Sequence, residues 1–227
     1  MSENQIWSAV DTYFADLLAP TDSLLDGALA ANHAAGLPAI DVTRNQGKFL
    51  QLLVQITQAK RVLEVGLLGG YSTMWMARGL PAGGGIISLE RSQKHADVAR
   101  ANLTSAGLID RVEIRVGPAL ETMPQLLQEG AGPFDLIFLD ADKPNNANYL
   151  QWALKLARPG TVILVDNIVR EGKVIDAESD DENVQGSRRA AEALAAEPRL
   201  NAVVMQTVGS KGYDGFAIAV AQDAEKG

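Results

Sequence analysis

The chain has 227 residues, 47% of them hydrophobic, enough to bury one full-sized core, so a single domain spanning residues 1–227 is expected. Acidic residues outnumber basic ones, 28 against 20, with no Lys/Arg stripe and no cysteine, which excludes a nucleic-acid footprint, disulfides, thiolate metal sites and cysteine nucleophiles. No apolar run approaches the roughly 18 to 20 residues of a membrane span. Residues 1–10 lack a basic stretch followed by an apolar one, so no secretory leader is expected and the location reads as cytoplasmic.

In chain order, residues 6–18, the Ala-rich 24–35, and 45–58 read as helices. The first 45 residues are expected to form a lid or an oligomer surface, and 46–222 the ligand-binding core. From Arg61 onward short apolar runs alternate with amphipathic stretches. Strands are predicted at 62–65, 86–89, 112–116, 134–139 and 162–165, with helices at 72–78, 93–106, 120–128, 147–157 and 185–196 between and after them. That alternation predicts an α/β fold with a mostly parallel sheet covered on both faces, because right-handed crossovers put the helices there. Two further strands, 202–208 and 215–220, follow with only a short segment between them that carries Gly209, Gly212 and Asp214. They read as a closing antiparallel hairpin.

Three motifs carry chemistry. The first is the strand-to-helix turn from Glu64-Val65-Gly66 through Leu67-Leu68-Gly69-Gly70 to Tyr71-Ser72, where glycine lets a ligand approach the backbone and the new helix offers free N–H groups. It suits a nucleotide-like cofactor but lacks the G-x-G-x-x-G spacing of dinucleotide folds. A turn needing glycine for geometry alone fits the same residues. The second is Glu90, at the end of the second strand and 24 residues past Gly66, where an acid can accept hydrogen bonds from ribose hydroxyls. An acid there also suits the start of a helix.

The third motif is the pair of strand ends Asp140-Ala141-Asp142-Lys143 and Asp166-Asn167. If their strands are neighbours, Asp140, Asp166 and Asn167 converge at the carboxyl edge of the sheet. Two carboxylates and an amide, with no Cys or His, suit Mg²⁺ or, in a looser site, Ca²⁺; helix and turn caps are the competing use. Lys143 beside them is either one half of a salt bridge or a general base, since burial and a nearby cation both favour a neutral amine. His33 and His95 read as surface or packing residues. The acidic run 178–182 reads as a solvated loop bordering the substrate entrance.

As a set these motifs resemble the cation-dependent O-methyltransferases, the family of the caffeoyl-CoA and catechol O-methyltransferases, over residues 41–220. Gly117-Pro118-Ala119-Leu120 resembles that family's adenine-side loop, and Asp214-Gly215-Phe216 its last hairpin. The resemblance implies a Rossmann-like class I methyltransferase fold with a seven-stranded sheet. It also implies S-adenosylmethionine held by Val42, Glu64, Gly66, Leu67, Ser72, Glu90, Ala119 and Asp142, several through backbone atoms. The implied metal ligands are Asp140, Asp166 and Asn167 around Mg²⁺, with Ca²⁺ or Mn²⁺ as substitutes, and Lys143 is the implied base. The reaction would be in-line methyl transfer to a hydroxyl of a vicinal diphenol, in a homodimer with a small phenolic substrate. The turn Leu67-Leu68-Gly69 departs from the bulkier or hydroxyl-bearing residues usual there, and Glu171 replaces a residue that contacts acyl-CoA in plant relatives. The competing functions are a non-catalytic nucleotide sensor on the same fold and a nicotinamide-dependent oxidoreductase.

Overall fold

The computed structural model describes residues 1–223, so the last four residues of the expected domain lie outside the described residues. Helices α1 (Glu3–Leu18), α2 (Ser23–Ala34) and α3 (Arg44–Ile56) precede the sheet. Then come β1 (Arg61–Val65), α4 (Tyr71–Gly79), β2 (Gly85–Glu90), α5 (Gln93–Ser105), β3 (Val112–Val116) and α6 (Ala119–Gln128). These are followed by β4 (Phe134–Leu139), α7 (Asn146–Lys155), β5 (Ala157–Asp166), α8 (Glu182–Ala196), β6 (Leu200–Gly209) and β7 (Gly212–Ala221). The seven strands form one sheet in the order β3-β2-β1-β4-β5-β7-β6; β1 to β5 pair in parallel, and β7 is antiparallel to both β5 and β6. This is the mostly parallel α/β architecture with a terminal hairpin that the alternation predicted.

Successive strand residues point to opposite faces, and each face meets its own helices. Val62, Ile86, Leu136, Phe138 and Leu164 pack with α2, α3 and α4 residues such as Leu25, Leu50, Met74 and Trp75. Leu63, Val65, Ile137, Leu139 and Val165 pack on the other side with Met123, Leu126, Leu150 and Leu194 of α6, α7 and α8. Packing is tight where elements cross: a Cβ on Gly47 of α3 would meet the Trp75 ring at 2.3 Å.

Several element boundaries differ from expectation, and three places have a physical reason. Helix α7 stops at Lys155 rather than at 157, and β5 starts at Ala157, five residues early. Pro159 favours both, because it has no N–H with which to extend the α7 ladder and drives its predecessor Arg158 toward extended backbone. The β6–β7 turn is only Ser210 and Lys211, with Gly209 paired to Gly212, so Gly209, Gly212 and Asp214 belong to the strands. Helix α8 begins at Glu182, three residues early, because Asp181 caps it by accepting the Asn183 N–H at 2.8 Å. The acidic run is therefore partly a helix start.

Candidate active site

The parallel order β2-β1-β4-β5 delivers the ends of all four strands to one edge, and a cavity of about 700 Å³ opens there. Gly66 follows β1 with φ +103°, and a Cβ on it would lie 2.1 Å from the Asp140 carbonyl oxygen. Only glycine lets the ends of β1 and β4 abut this closely. Gly70, at φ +82°, then starts α4 with no side-chain cap, which leaves the first turn of that helix facing the cavity.

Of the predicted cofactor residues, Val42, Gly66, Leu67 and Ser72 line the cavity, as do Glu90, Ala119 and Asp142. Glu64 does not. Its carboxyl is fully buried behind the turn, accepting from the Ser72 and Thr73 hydroxyls at 2.6 Å each and from Ser88 at 2.5 Å. Burial pushes it up to about 7 against the pull of those hydroxyls. Its place is to tie β1, β2 and α4 together beneath the ligand surface.

Glu90 is gripped by the backbone: the Leu68 N–H donates to Oε2 and the Ser92 N–H to Oε1, each at 2.9 Å. His95 Nδ1 lies 3.4 Å from the same Oε1, and His95 lines the cavity, so it is not the surface or packing residue expected of it. Asp142 accepts from the Tyr149 hydroxyl and from Asn145, both at 2.5 Å. Burial, then the Asp142 contact, raises the Tyr149 phenol above its ordinary range, which keeps it a donor.

At the other end of the cavity Lys143 Nζ donates to Asp140 Oδ1 at 2.8 Å, and Lys143, Asp140 and Asn167 all line the wall. Asp166 stands just behind them, 4% exposed, with Oδ1 accepting the Asn167 N–H at 2.8 Å and Oδ2 accepting Gln46 Nε2 at 2.5 Å. Burial and then the Asp140 charge push its carboxyl up to about 7, with Lys143 pulling the other way. A divalent cation fits this set, since two carboxylates that repel one another and an adjacent amide oxygen are what a hard cation relieves. Among the described residues no group of three or more His, Cys, Asp and Glu side chains is arranged for a metal ion, so these two carboxylates and the Asn167 amide carry that reading.

Sequence reasoning missed Gln46, His95, Tyr149 and the network that holds Asp41. There Asn32 donates to Asp41 at 2.9 Å, while Asn102 donates to Asn32 at 3.0 Å and to the Gly69 carbonyl at 2.9 Å. Thus α2 and α5 hold both the glycine turn and the Ile40–Asp41–Val42 wall. Glu171 does not line the cavity: its side chain is 70% exposed and paired with Lys173 at 3.0 Å.

Comparison with known proteins gives this geometry a family. The model of the family described as O-methyltransferase matches residues 22–219. The chain belongs to the O-methyltransferase family. It is 54% identical over 217 residues, 96% of its length and 98% of the relative's, to a catechol O-methyltransferase of Niastella koreensis. It is 53% identical to a catechol O-methyltransferase of Mycobacterium tuberculosis, over 93% of this chain and 94% of that one. An O-methyltransferase from Bacillus cereus, crystallised with SAH, superposes with a TM-score of 0.95 at 59% identity, covering 96% of this chain and all of that one. The family model thus takes in all of α3 to β6 and most of β7, including every strand end that lines the cavity.

Proposed function

We propose that this O-methyltransferase carries the methyl group of S-adenosylmethionine to one hydroxyl of a vicinal diphenol, assisted by a divalent cation, Mg²⁺ first among candidates. One observation carries the proposal: Asp140, Lys143 and Asn167 line the same cavity as Glu90 and the Gly66 turn, so oxygen donors and a cofactor surface face one space. The catechol O-methyltransferase relatives and the SAH-bound neighbour support the acceptor class and the donor.

Each residue then has a task. The Gly66–Gly70 turn and the open first turn of α4 receive the donor, and Glu90 accepts from its ribose hydroxyls. Ala119 closes the adenine side and Val42 the wall opposite. Asp140, Asp166 and Asn167 would hold the cation, which when bound supplies Lewis-acid activation and a template for two adjacent oxygens. Lys143 Nζ, on the cavity wall, takes the hydroxyl proton. Alignment of the oxygen with the methyl carbon by the rigid strand ends provides the rest of the acceleration. The nicotinamide and nucleotide-sensor readings gain no support from a family of O-methyltransferases.

We place the enzyme in the cytoplasm; no helix among the described residues is long and apolar enough to cross a membrane. The N-terminal segment 1–45 is proposed to cover the substrate, as its Ile40–Val42 wall supports, and α1 with β6 to pair two copies into a homodimer. The test is transfer of labelled methyl from S-adenosylmethionine to catechol and to larger vicinal diphenols, with Mg²⁺ and after exhaustive chelation. Transfer that stops on chelation and returns with Mg²⁺ is expected. Full activity after chelation would sink the metal role, and transfer to no vicinal diphenol would sink the acceptor class.

A further inference from the structure

Glu90 emerges from β2 at the cavity wall with two of its lone pairs already taken, one by the Leu68 N–H of the glycine turn and one by the Ser92 N–H at the start of α5. A carboxylate offers about four such sites. His95 closes on a third: its Nδ1 stands 3.4 Å from Oε1, an ion-pair separation rather than a formed hydrogen bond. Polar contacts of this length in ligand-free sites commonly tighten when the ligand arrives. The ring is well placed for that. His95 sits in the first turn of α5, its own N–H bonded to the Ser92 hydroxyl at 3.4 Å, and its side chain is only 25% exposed.

Because Glu90 accepts, the nitrogen facing it must carry the hydrogen, which fixes Nδ1 as the donor and leaves Nε2 without a protein partner among the described residues. We infer that His95 is a positioning residue for the adenosyl half of the methyl donor, its Nδ1–H holding the Glu90 carboxylate in the rotamer that turns the last free lone pair into the cavity. The inference rests on the reading that Glu90 accepts the donor's ribose hydroxyls. Without His95, two backbone bonds still orient the carboxylate, one on each oxygen, but the third anchor on Oε1 is lost and the cavity-facing lone pair is held less firmly.

The experiment is calorimetric binding of S-adenosylhomocysteine, with steady-state kinetics, on wild type, His95→Ala, His95→Asn and His95→Gln. Asparagine puts an amide N–H at the branch position of Nδ1, whereas glutamine reaches the position of Nε2. In His95→Ala the affinity should fall by about tenfold, the scale of one hydrogen bond to a charged group. The KM for the donor should rise in step, with kcat at saturation within about threefold and the acceptor KM unchanged. His95→Asn should recover most of the affinity and His95→Gln should not. Wild-type affinity in His95→Ala, a loss confined to kcat, or equal rescue by both amides would overturn the inference. If the wild type itself fails to bind S-adenosylhomocysteine, the donor reading fails first and takes the inference with it, a result distinct from the other three.

Discussion

Asp166 and Lys143 belong to one cluster of charge, so loss of activity alone does not tell a metal ligand from a base. Their surroundings do. Asp166→Ala removes a carboxylate whose other contacts, Gln46 and the Asn167 N–H, only orient it. Cation affinity should fall steeply and activity should return only in part at high Mg²⁺. Lys143→Ala leaves all three oxygen donors and frees Asp140 from its 2.8 Å partner, so the cation should still bind. Its rate should drop by roughly 10² to 10⁴ and recover partly as pH rises, because solvent can then take the proton from a metal-activated hydroxyl. Metal titration by calorimetry with pH–rate profiles on both variants separates the two; Asp166→Ala binding the cation as tightly as wild type would remove Asp166 from the ligand set.

The β1–α4 junction gives the element scale its own prediction. Glu64 joins β1 to β2 through Ser88 and to α4 through Ser72 and Thr73, and burial raises its carboxyl from 4.5 to about 7. For an acid whose folded value lies above its unfolded one, the contribution to stability is fully present below about 4.5 and is lost as pH climbs through about 7. The shift corresponds to about 3 kcal/mol across that window. Asp166 titrates in the same window. Glu64→Gln should therefore reduce, without abolishing, the decline in unfolding free energy between about pH 5 and pH 7, measured by denaturant titration. An unchanged slope would show that Glu64 does not titrate there.

Elements of this kind were legible in the sequence because parallel strands buried on both faces must be apolar throughout, and Val62–Val65 and Phe134–Leu139 each carry a single acid in such a run. The strand-end acids followed from topology. What the sequence hid was facing. Gln46 reaches Asp166 across 120 residues, and nothing local to α3 marks that glutamine as different from Gln51 or Gln55. Glu64 is a cofactor contact only by the family resemblance; strand alternation puts its carboxyl on the α4 side, under Ser72 and Thr73, while Val65 and Gly66 reach the wall. Glu90 lies two residues before the Ser92 cap of α5, and the close approach of His95 to it shows only in the folded turn between β2 and α5.

For the whole molecule, the unsettled surface is the edge that the hairpin makes. Strand β6 ends the sheet and pairs only with β7, leaving one row of backbone groups open, a condition that soluble proteins cover or blunt. Along it Val203, Val204, Met205 and Val208 are 43–53% exposed, and α1, which packs against β6, adds Tyr13, Phe14 and Leu17 at 48–61%. Asp11 of α1 locks the two together, accepting the Ser210 N–H of the hairpin turn at 3.0 Å and Asn45 Nδ2 at 2.5 Å. A rigid, apolar surface of this kind on a chain of net charge −8 is what a second copy would cover, since charge repulsion elsewhere favours the uncharged face for contact. We therefore expect a dimer in sedimentation velocity at micromolar concentration, and expect Phe14→Asp with Met205→Lys to yield a monomer. None of these interface residues lines the cavity, so that monomer should still bind S-adenosylhomocysteine with wild-type affinity. A wild type that sediments as a monomer across that range would refute the interface, and a double variant that stays dimeric would move it to another face.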